Sequence, residues 1–318
     1  MDDLADLTAC LPPELRGTGT TITRIAAGLS GAGVYRVEAA GHAFVLKVAA
    51  ATEDQAAWRR AVAIQQHAAA VGLAPAVIYS DDGRRSIVTD LVADRSFVAL
   101  YRGPGHQAAV ELLGTTVRRL HALPPPAGAP PLDGRGFLAQ FWERLRGFAL
   151  PAFVVEAVEG LLAEEAPPRE GGPVLSHNDL NPSNLLYDGQ AIVILDWATA
   201  GPNERLYDPA VLAMFLRMDE ADCLRLLCAY QGEPVALLPD RFRYLRRLVA
   251  ALAGSASLFL ARRLKHPGGA DTLEAALPLG GFYQQMQTGA LKLGTPEGQW
   301  AFGLSLVKES LSLGALPP

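Results

Sequence analysis

The stretch SHNDLNPSNLLYDGQAIVILDW, residues 176–197, gathers polar side chains at both ends of a short apolar hairpin. Two apolar segments, NLLY and AIVIL, flank Asp188-Gly189, a dipeptide that is typical of tight hairpin turns. Asn184 begins the first segment, and Asp196 follows the second. Because antiparallel strands bring their outer ends together, we expect both side chains at the same end of the hairpin. A two-residue turn would place Asp196 three residues beyond the strand partner of Asn184, so the chain must curl back there.

The polar residues around this hairpin have the spacing of a catalytic loop. His177, Asp179 and Asn184 follow the pattern H-x-D-x-x-x-x-N, and an aspartate comes after the next strand, as in protein kinases. Phosphoryl transfer needs a carboxylate that orients and deprotonates the attacking hydroxyl, together with hard oxygen ligands that hold Mg²⁺ against a triphosphate. We therefore expect Asp179 to act as the base, and Asn184 and Asp196 to bind the metal. His177 is expected to fix the loop by a hydrogen bond.

The amino-acid composition limits the number of domains, the partners and the cellular compartment that we expect for this chain. It has 318 residues, 50% of them hydrophobic, which suffices for one large or two modest domains with a sizeable core. The net charge is −5 without any block of Lys or Arg, so neither nucleic acid nor a membrane surface is an expected partner. Three scattered cysteines suit a reducing compartment and neither disulfides nor zinc. The acidic first residues do not resemble a secretory signal, and we expect a cytoplasmic protein.

The N-terminal part predicts an antiparallel sheet with one main helix. Three segments rich in β-branched and aromatic residues follow one another over residues 20–48. TEDQ, residues 52–55, is a capping-box pattern, and an apolar stripe at helical spacing runs from there to residue 71. A second hairpin, around Asp82-Gly83, would complete five strands.

Two features of this sheet suit the phosphates of a nucleotide. Lys47 lies inside a predicted strand, where a charge is unfavourable without a partner, and it resembles the strand lysine that holds the α- and β-phosphates in kinases. The preceding loop GLSGAG can present backbone N–H groups to phosphate, and we expect Ser30, Gly31 and Gly33 to do so. A glycine-rich loop also serves as an ordinary hairpin turn.

After the sheet, the segment TDLV stands where a kinase hinge would offer backbone groups to adenine, and we expect Thr89, Asp90 and Val92 to bind there. Helical patterns dominate the chain beyond, apart from the proline-rich segment 123–134 and the hairpin of the catalytic loop. The most apolar pattern, residues 248–264, contains Gly and Ser, ends in arginines and is shorter than a membrane span requires. It predicts a buried helix.

Together, SHNDLNPSNLLYDG, VILDWATAGPNERLYDPA and the upstream strand lysine resemble the aminoglycoside phosphotransferase and choline kinase-like family of small-molecule kinases. The resemblance covers most of the chain. It implies an α+β, two-lobed protein-kinase-like fold, with a small antiparallel sheet lobe over residues 1–92 for the nucleotide and a larger, mainly helical lobe over residues 93–318 for catalysis and the acceptor. It also implies ATP and Mg²⁺ as cofactors. The H-N-D form of the loop is similar to the choline, ethanolamine and thiamine kinase side of the family.

The sequence departs from the family at two places. Kinases pair the strand lysine with a glutamate on the following helix, but Ala61 stands at the expected position. The family often shows D-W-E-Y after the metal strand, whereas Ala198 and Thr199 replace the acid and the ring here. The first departure leaves a nucleotide-binding pseudokinase or regulator as a rival interpretation. The intact catalytic loop favours an enzyme.

For the acceptor, the sequence favours a small cationic alcohol of the choline, ethanolamine or thiamine type, with an aminoglycoside or a sugar as the alternative. The helical lobe has acids near the motif and rings that can face an ammonium group, although packing is the simpler role for each ring. The acids are Glu204, Asp208, Asp219, Glu220 and Asp222, and the rings are those of Tyr207, Tyr230 and Trp300. The expected partner is therefore a small hydroxylated molecule, and no protein partner is inferred.

Overall fold

The computed structural model describes residues 4–25, 32–50 and 52–313, and the chain divides into two compact units. The first unit comprises residues 1–130, 173–202 and 225–234, and the second comprises residues 131–172, 203–224 and 235–318. The predicted boundary after Val92 divides the chain by function, into a nucleotide lobe and a catalytic lobe, whereas these units are divided by compactness. The predicted boundary therefore stays a prediction.

The first unit is built on an antiparallel sheet of five strands in the order β1-β2-β3-β5-β4, as the sequence predicts. The strands are β1 Thr21–Arg24, β2 Gly33–Ala39, β3 His42–Val48, β4 Val77–Asp81 and β5 Ser86–Asp90. Lys47 lies on the central strand β3, opposite Val34 of β2 and Ile87 of β5. Because side chains alternate along a strand, Lys47 and its neighbour Leu46 point to opposite faces of the sheet.

A different helix covers each face of this sheet. On the face of Leu46, α1 (Leu4–Ala9) and the turn after it bury Leu7 and Leu11. On the face of Lys47, α2 (Gln55–Ala70) packs Trp58 and Val62 against Ile87. This second helix therefore forms the wall that the Lys47 side chain faces.

The start of α2 differs from the prediction. The Asp54 carboxylate accepts the N–H of Ala57 at 2.9 Å and so caps the helix, two residues after the predicted Thr52. Aspartate is the stronger cap because its carboxylate also interacts favourably with the positive end of the helix dipole. The capping-box prediction is thus wrong at Thr52, whereas the predicted helix itself is present.

The remaining strands are short and surround the catalytic loop. β7 and β8 form a hairpin, and β6 pairs with β9. α4 packs against β6 and β8 and buries an apolar stripe that includes Val110, Leu113 and Val117. These elements are α3 Phe97–Arg102, α4 His106–His121, β6 Val174–Ser176, β7 Leu185–Tyr187, β8 Ile192–Ile194 and β9 Gly201–Asn203.

The second unit is helical. Its helices are α5 Gly134–Leu145, α6 Ala152–Ala163, α7 Tyr207–Phe215, α8 Glu220–Gln231, α9 Asp240–Arg263, α10 Leu279–Gln287 and α11 Pro296–Ser312. Only the first part of α8, up to Leu224, belongs to this unit. Among the described residues, only α9 is long and apolar enough to pass a test for a membrane span, and 67% of its most apolar window is buried inside the protein. Because it packs against α5, α7 and α11, α9 is the central helix of this unit. The prediction of a buried helix is confirmed.

Candidate active site

The hairpin after the catalytic loop has a longer turn than its Asp-Gly dipeptide predicts. β7 and β8 pair Tyr187 with Ile192, so four residues, 188–191, form the turn. The Asp188 carboxylate accepts the N–H groups of Gln190 and Ala191 at 2.7 and 2.8 Å. A side chain that bonds the backbone two and three residues ahead stabilises this wider turn. The expectation of a two-residue turn is therefore wrong.

The wider turn changes which residues meet at the open end of the hairpin. Leu185 pairs with Ile194, and the N–H of Leu195 donates to the carbonyl of Asn184 at 2.8 Å. Asn184 and Asp196 are therefore one residue out of register rather than three. Both proposed metal ligands reach the same end of the hairpin, as the sequence predicts, without the large curl that a two-residue turn would require.

The chain around Asp196 holds a backbone conformation that needs support. Asp196 has a φ of 56° and Asn178 has a φ of 68°, in the left-handed region that glycine adopts freely and that aspartate and asparagine tolerate better than other residues. Asn178 Nδ2 donates to the carbonyl of Thr199 at 2.8 Å, and Thr199 Oγ1 donates to the carbonyl of His177 at 3.0 Å. These reciprocal bonds tie the catalytic loop to the segment that carries Asp196.

His177 has the structural role predicted for it. Its ring is fully buried and Nε2 donates to the carbonyl of Leu195 at 3.0 Å. The ring also meets the Trp197 indole edge-on, with 5.0 Å between centroids. The indole Nε1 in turn donates to the carbonyl of Ile194 at 3.0 Å. His177 therefore connects the catalytic loop to both sides of Asp196.

Asp179 is surrounded by amide donors. Asn181 Nδ2 donates to its Oδ1 at 2.9 Å, and Asn184 Nδ2 donates to its Oδ2 at 3.0 Å and to its carbonyl at 2.9 Å. Burial raises the pKa of Asp179, against the opposing effect of these amides and of His177. A poorly hydrated carboxylate that is held by neutral donors is a stronger base than an exposed one. Asn181, which the sequence suggested only as a turn residue, helps to orient this carboxylate.

Lys47 and Asp196 form an ion pair, with 2.5 Å between Nζ and Oδ1. Burial alone would raise the pKa of Asp196, but the Lys47 charge, the Lys47 hydrogen bond and the Ala198 N–H together hold it below its usual value. Asp196 is therefore a carboxylate at neutral pH. The pair also shows that Lys47 has an acidic partner although α2 carries Ala61 at the position where kinases have glutamate.

Replacing Lys47 with Met should weaken the binding of Mg²⁺-ATP at least about 10-fold, which corresponds to about 1.4 kcal/mol. The methylene stem is retained, while the charge that the phosphates would meet is lost. Isothermal titration calorimetry with a non-hydrolysable ATP analogue measures this effect. Lys292→Met, at an exposed lysine of the second unit, is the matched control and should bind normally. Equal affinity in both variants would remove Lys47 from the nucleotide site.

Asn184 and Asp196 are suited to Mg²⁺ by their chemistry. Asn184 directs its amide nitrogen at Asp179, so its Oδ1 is the atom left for a cation, and Asp196 supplies a carboxylate. No group of three or more His, Cys, Asp or Glu in the described ranges is arranged to hold a metal ion. Mg²⁺ is usually bound by one or two carboxylates together with substrate phosphates, and does not need such a cage. The donors present fit a magnesium ion that arrives with a nucleotide.

Of the other residues predicted to bind the nucleotide, Gly33, Thr89 and Asp90 lie on the sheet. Ser30 and Gly31 lie outside the described residues, and Gly33 begins β2, where a Cβ would meet the Tyr35 ring at 2.7 Å. Thr89 is buried in β5, and the N–H of Asp90 donates to the carbonyl of Ala76 at 3.1 Å. Val92 follows β5 in a segment without helix or strand. Their role toward a nucleotide stays a prediction.

Several residues suggested for a cationic acceptor are engaged elsewhere. Glu204 accepts two hydrogen bonds of 2.6 Å from Arg241, so its charge is neutralised inside the second unit. Tyr230 is buried, with 2.8 Å between its hydroxyl and His121 Nδ1. The Trp300 indole stacks on His266 with 4.5 Å between centroids. Ion pairing and packing already use these side chains, as the sequence indicates for the two rings, and their role toward an acceptor stays a prediction.

The fold and this loop define a kinase-like phosphotransferase. The chain belongs to the phosphotransferase enzyme family, whose model matches residues 21–245. The predicted family resemblance, fold class and small-molecule kinase activity are thereby confirmed. No curated protein matches the chain by sequence.

Solved structures show the same fold. A choline/ethanolamine kinase family protein from Mesorhizobium loti is 19% identical over 97% of each chain, with a TM-score of 0.61. An ethanolamine kinase from Plasmodium vivax is 14% identical over 77% of each chain, with a TM-score of 0.55. An aminoglycoside-3'-phosphotransferase of type VIII is 24% identical over 74% of this chain and 95% of its own, with a TM-score of 0.53. Kinases for two different acceptor classes are thus similar in fold to this chain.

Proposed function

We propose that this protein transfers the γ-phosphate of ATP, with Mg²⁺, to a hydroxyl group of a small molecule. The observation that carries the proposal is the group formed by Asp179, Asn184, Asp196 and Lys47, which hydrogen bonds and one ion pair hold in place within the first unit. The family supplies the class of reaction, and this group supplies each side chain that the reaction requires.

Each residue has a separate task in this proposal. Asp179 accepts a hydrogen bond from the acceptor hydroxyl and takes its proton as the oxygen–phosphorus bond forms and the bond from phosphorus to the leaving ADP oxygen breaks. Lys47 binds phosphate oxygens. Asn184 Oδ1 and the Asp196 carboxylate would hold Mg²⁺, which when bound neutralises charge on the β- and γ-phosphates. Asn181 keeps the Asp179 carboxylate oriented through its amide hydrogen bond.

The ion pair of Lys47 argues against the rival interpretation as a pseudokinase or regulator. That interpretation rested on Ala61, which leaves α2 without the usual glutamate. Asp196 provides the missing negative charge, and the residues proposed as the base and the metal ligands are all present.

For the acceptor we propose a small cationic alcohol of the choline, ethanolamine or thiamine type. The H-N-D form of the loop and the likeness in fold to a choline/ethanolamine kinase family protein support this class. A pocket of about 280 Å³ in the second unit does not add to the argument, because Arg135, Arg169 and Arg241 line it against Asp133 and Glu204. Three guanidinium groups and two carboxylates do not attract a cation. We also propose a cytoplasmic location, which suits a kinase that uses ATP.

ATP consumption in the presence of different acceptors tests this proposal. We expect choline, ethanolamine or thiamine to stimulate ADP release well above the rate without acceptor, and more than aminoglycosides, neutral sugars or homoserine do. The Asp179→Ala variant is the control, because ADP release that survives in it does not come from this site. Efficient phosphorylation of a neutral sugar, with every cationic alcohol inert, would refute the charge argument and leave the kinase assignment standing.

A further inference from the structure

A small cavity lies against Lys47 on the face of the sheet that α2 covers. Its volume is about 30 Å³, and the polar residues that line it are Lys47, Glu53 and Gln65. The other lining residues include Ala61 and Trp197. A polar cavity of this size has room for one water molecule when about two to four polar groups surround it. Ala61, which stands where kinases carry a glutamate, therefore borders a small pocket with a polar lining.

Gln65 is the unusual residue in this lining. Its side chain is buried, with 8% exposure, on a helix face that otherwise buries Trp58, Val62, Ile64 and Ala68. Within residues 4–25, 32–50 and 52–313, its amide group makes no hydrogen bond to the protein. Its amide is not among the fully enclosed polar atoms that lack a partner, and Gln65 lines the same cavity as Lys47.

The Lys47 ammonium group has further N–H donors that are available for a second hydrogen-bond partner. An ammonium group carries three N–H donors, and the ion pair with Asp196 Oδ1 uses one of them. Glu53 also lines the cavity, but it precedes the cap of α2 and remains partly exposed, so water competes for its carboxylate. Gln65 lies one helical turn beyond Ala61, inside the helix, where its position is fixed. Of the two, Gln65 is the better placed to orient the lysine.

We propose that Gln65 is a positioning residue for Lys47, and that its amide oxygen accepts a hydrogen bond from one water molecule in the cavity, which in turn accepts a hydrogen bond from the ammonium group. The inference rests on the proposed function, in which Lys47 binds ATP phosphates. A neutral amide orients the lysine without neutralising it. Asp196 then remains the only one of the two partners that carries a charge opposite to that of Lys47. When Asp196 binds a metal ion, Gln65 keeps the lysine directed at the phosphates.

The test compares three variants with wild type by calorimetric binding of a non-hydrolysable ATP analogue with Mg²⁺. Gln65→Leu should weaken binding at least about five-fold, since a water-mediated hydrogen bond to a charged group is lost. Gln65→Glu keeps an oxygen acceptor and should bind close to wild type. Gln66→Leu changes the exposed neighbour on the same helix and is the matched control, which should bind normally. Thermal unfolding of each variant gives a readout that does not depend on the nucleotide.

The outcomes separate this inference from the proposed function. A purely structural role would change the unfolding temperature of Gln65→Leu and leave nucleotide affinity equal to wild type, which would overturn the inference alone. Wild type that binds the analogue but phosphorylates no acceptor would refute the proposed function, while the comparison of variants would still decide the role of Gln65. Wild type that does not bind nucleotide would overturn both.

Discussion

Asp179→Ala is expected to lower turnover at least about 100-fold while the affinity for Mg²⁺-ATP changes little. General base catalysis typically contributes 10² to 10⁴ in rate, and a base acts on the transition state more than on bound nucleotide. Burial of the carboxylate and its amide partners make Asp179 the residue best suited to take a proton. Steady-state turnover together with calorimetric affinity measures the two quantities separately.

The alanine variant also frees the Asn184 amide, so a second variant is needed. Asp179→Asn keeps the shape of the side chain and removes its charge, and we expect a similar loss of turnover with a normal Mg²⁺ requirement. Asp188→Asn is the control, because asparagine can keep the bonds to Gln190 and Ala191 that form the hairpin turn. Near-normal turnover in both Asp179 variants would exclude this residue from the mechanism.

The sequence predicts most of this site because the chemistry depends on residues that are close along the chain. The loop and its hairpin occupy residues 176–197, and the antiparallel pairing that brings their ends together is local. The turn is longer than the sequence predicts because Asp188 bonds the backbone two and three residues ahead, whereas the Asp-Gly dipeptide also suits a shorter turn. A side-chain hydrogen bond therefore decided the register.

Long-range pairing is where the sequence is least informative. The ion pair of Lys47 with Asp196 joins residues 149 positions apart, and the resemblance to kinases suggests this pairing, whereas nothing local to either residue does. The predicted stripe on α2 leaves out Gln65, because a pattern of apolar residues does not include a buried polar one. A glutamine on the inward face of an otherwise apolar helix is the signal that would have found it.

The number of acidic residues along this part of the sequence is also a poor predictor of the charge in the acceptor region. Glu204 looked available because it follows the motif closely, yet Arg241 pairs with it from a distant helix. A carboxylate between two arginines, Arg241 and Arg169, leaves little negative charge for a ligand. The number of acids near a motif therefore does not predict which cation, if any, the region binds.

Asp196→Ala is expected to reduce turnover at least about 10³-fold, because a charged metal ligand stabilises the transition state by several kcal/mol. Asn184→Ala should lose less, since it removes a neutral ligand. Asp196 is also the ion-pair partner of Lys47, so its removal affects two parts of the site at once.

The backbone at Asp196 requires a second variant before that loss can be assigned to the metal. Alanine is unfavourable at a φ of 56°, whereas asparagine tolerates the left-handed region and keeps one oxygen ligand. We therefore expect Asp196→Asn to unfold close to the wild-type temperature, to need more Mg²⁺ and to remain severely slowed. Titration of Mg²⁺ at constant ATP, with thermal unfolding of each variant, separates metal binding from folding. An unchanged Mg²⁺ requirement in the Asp196 and Asn184 variants would count decisively against both as metal ligands, because the loss of either oxygen must weaken a site that it helps to form.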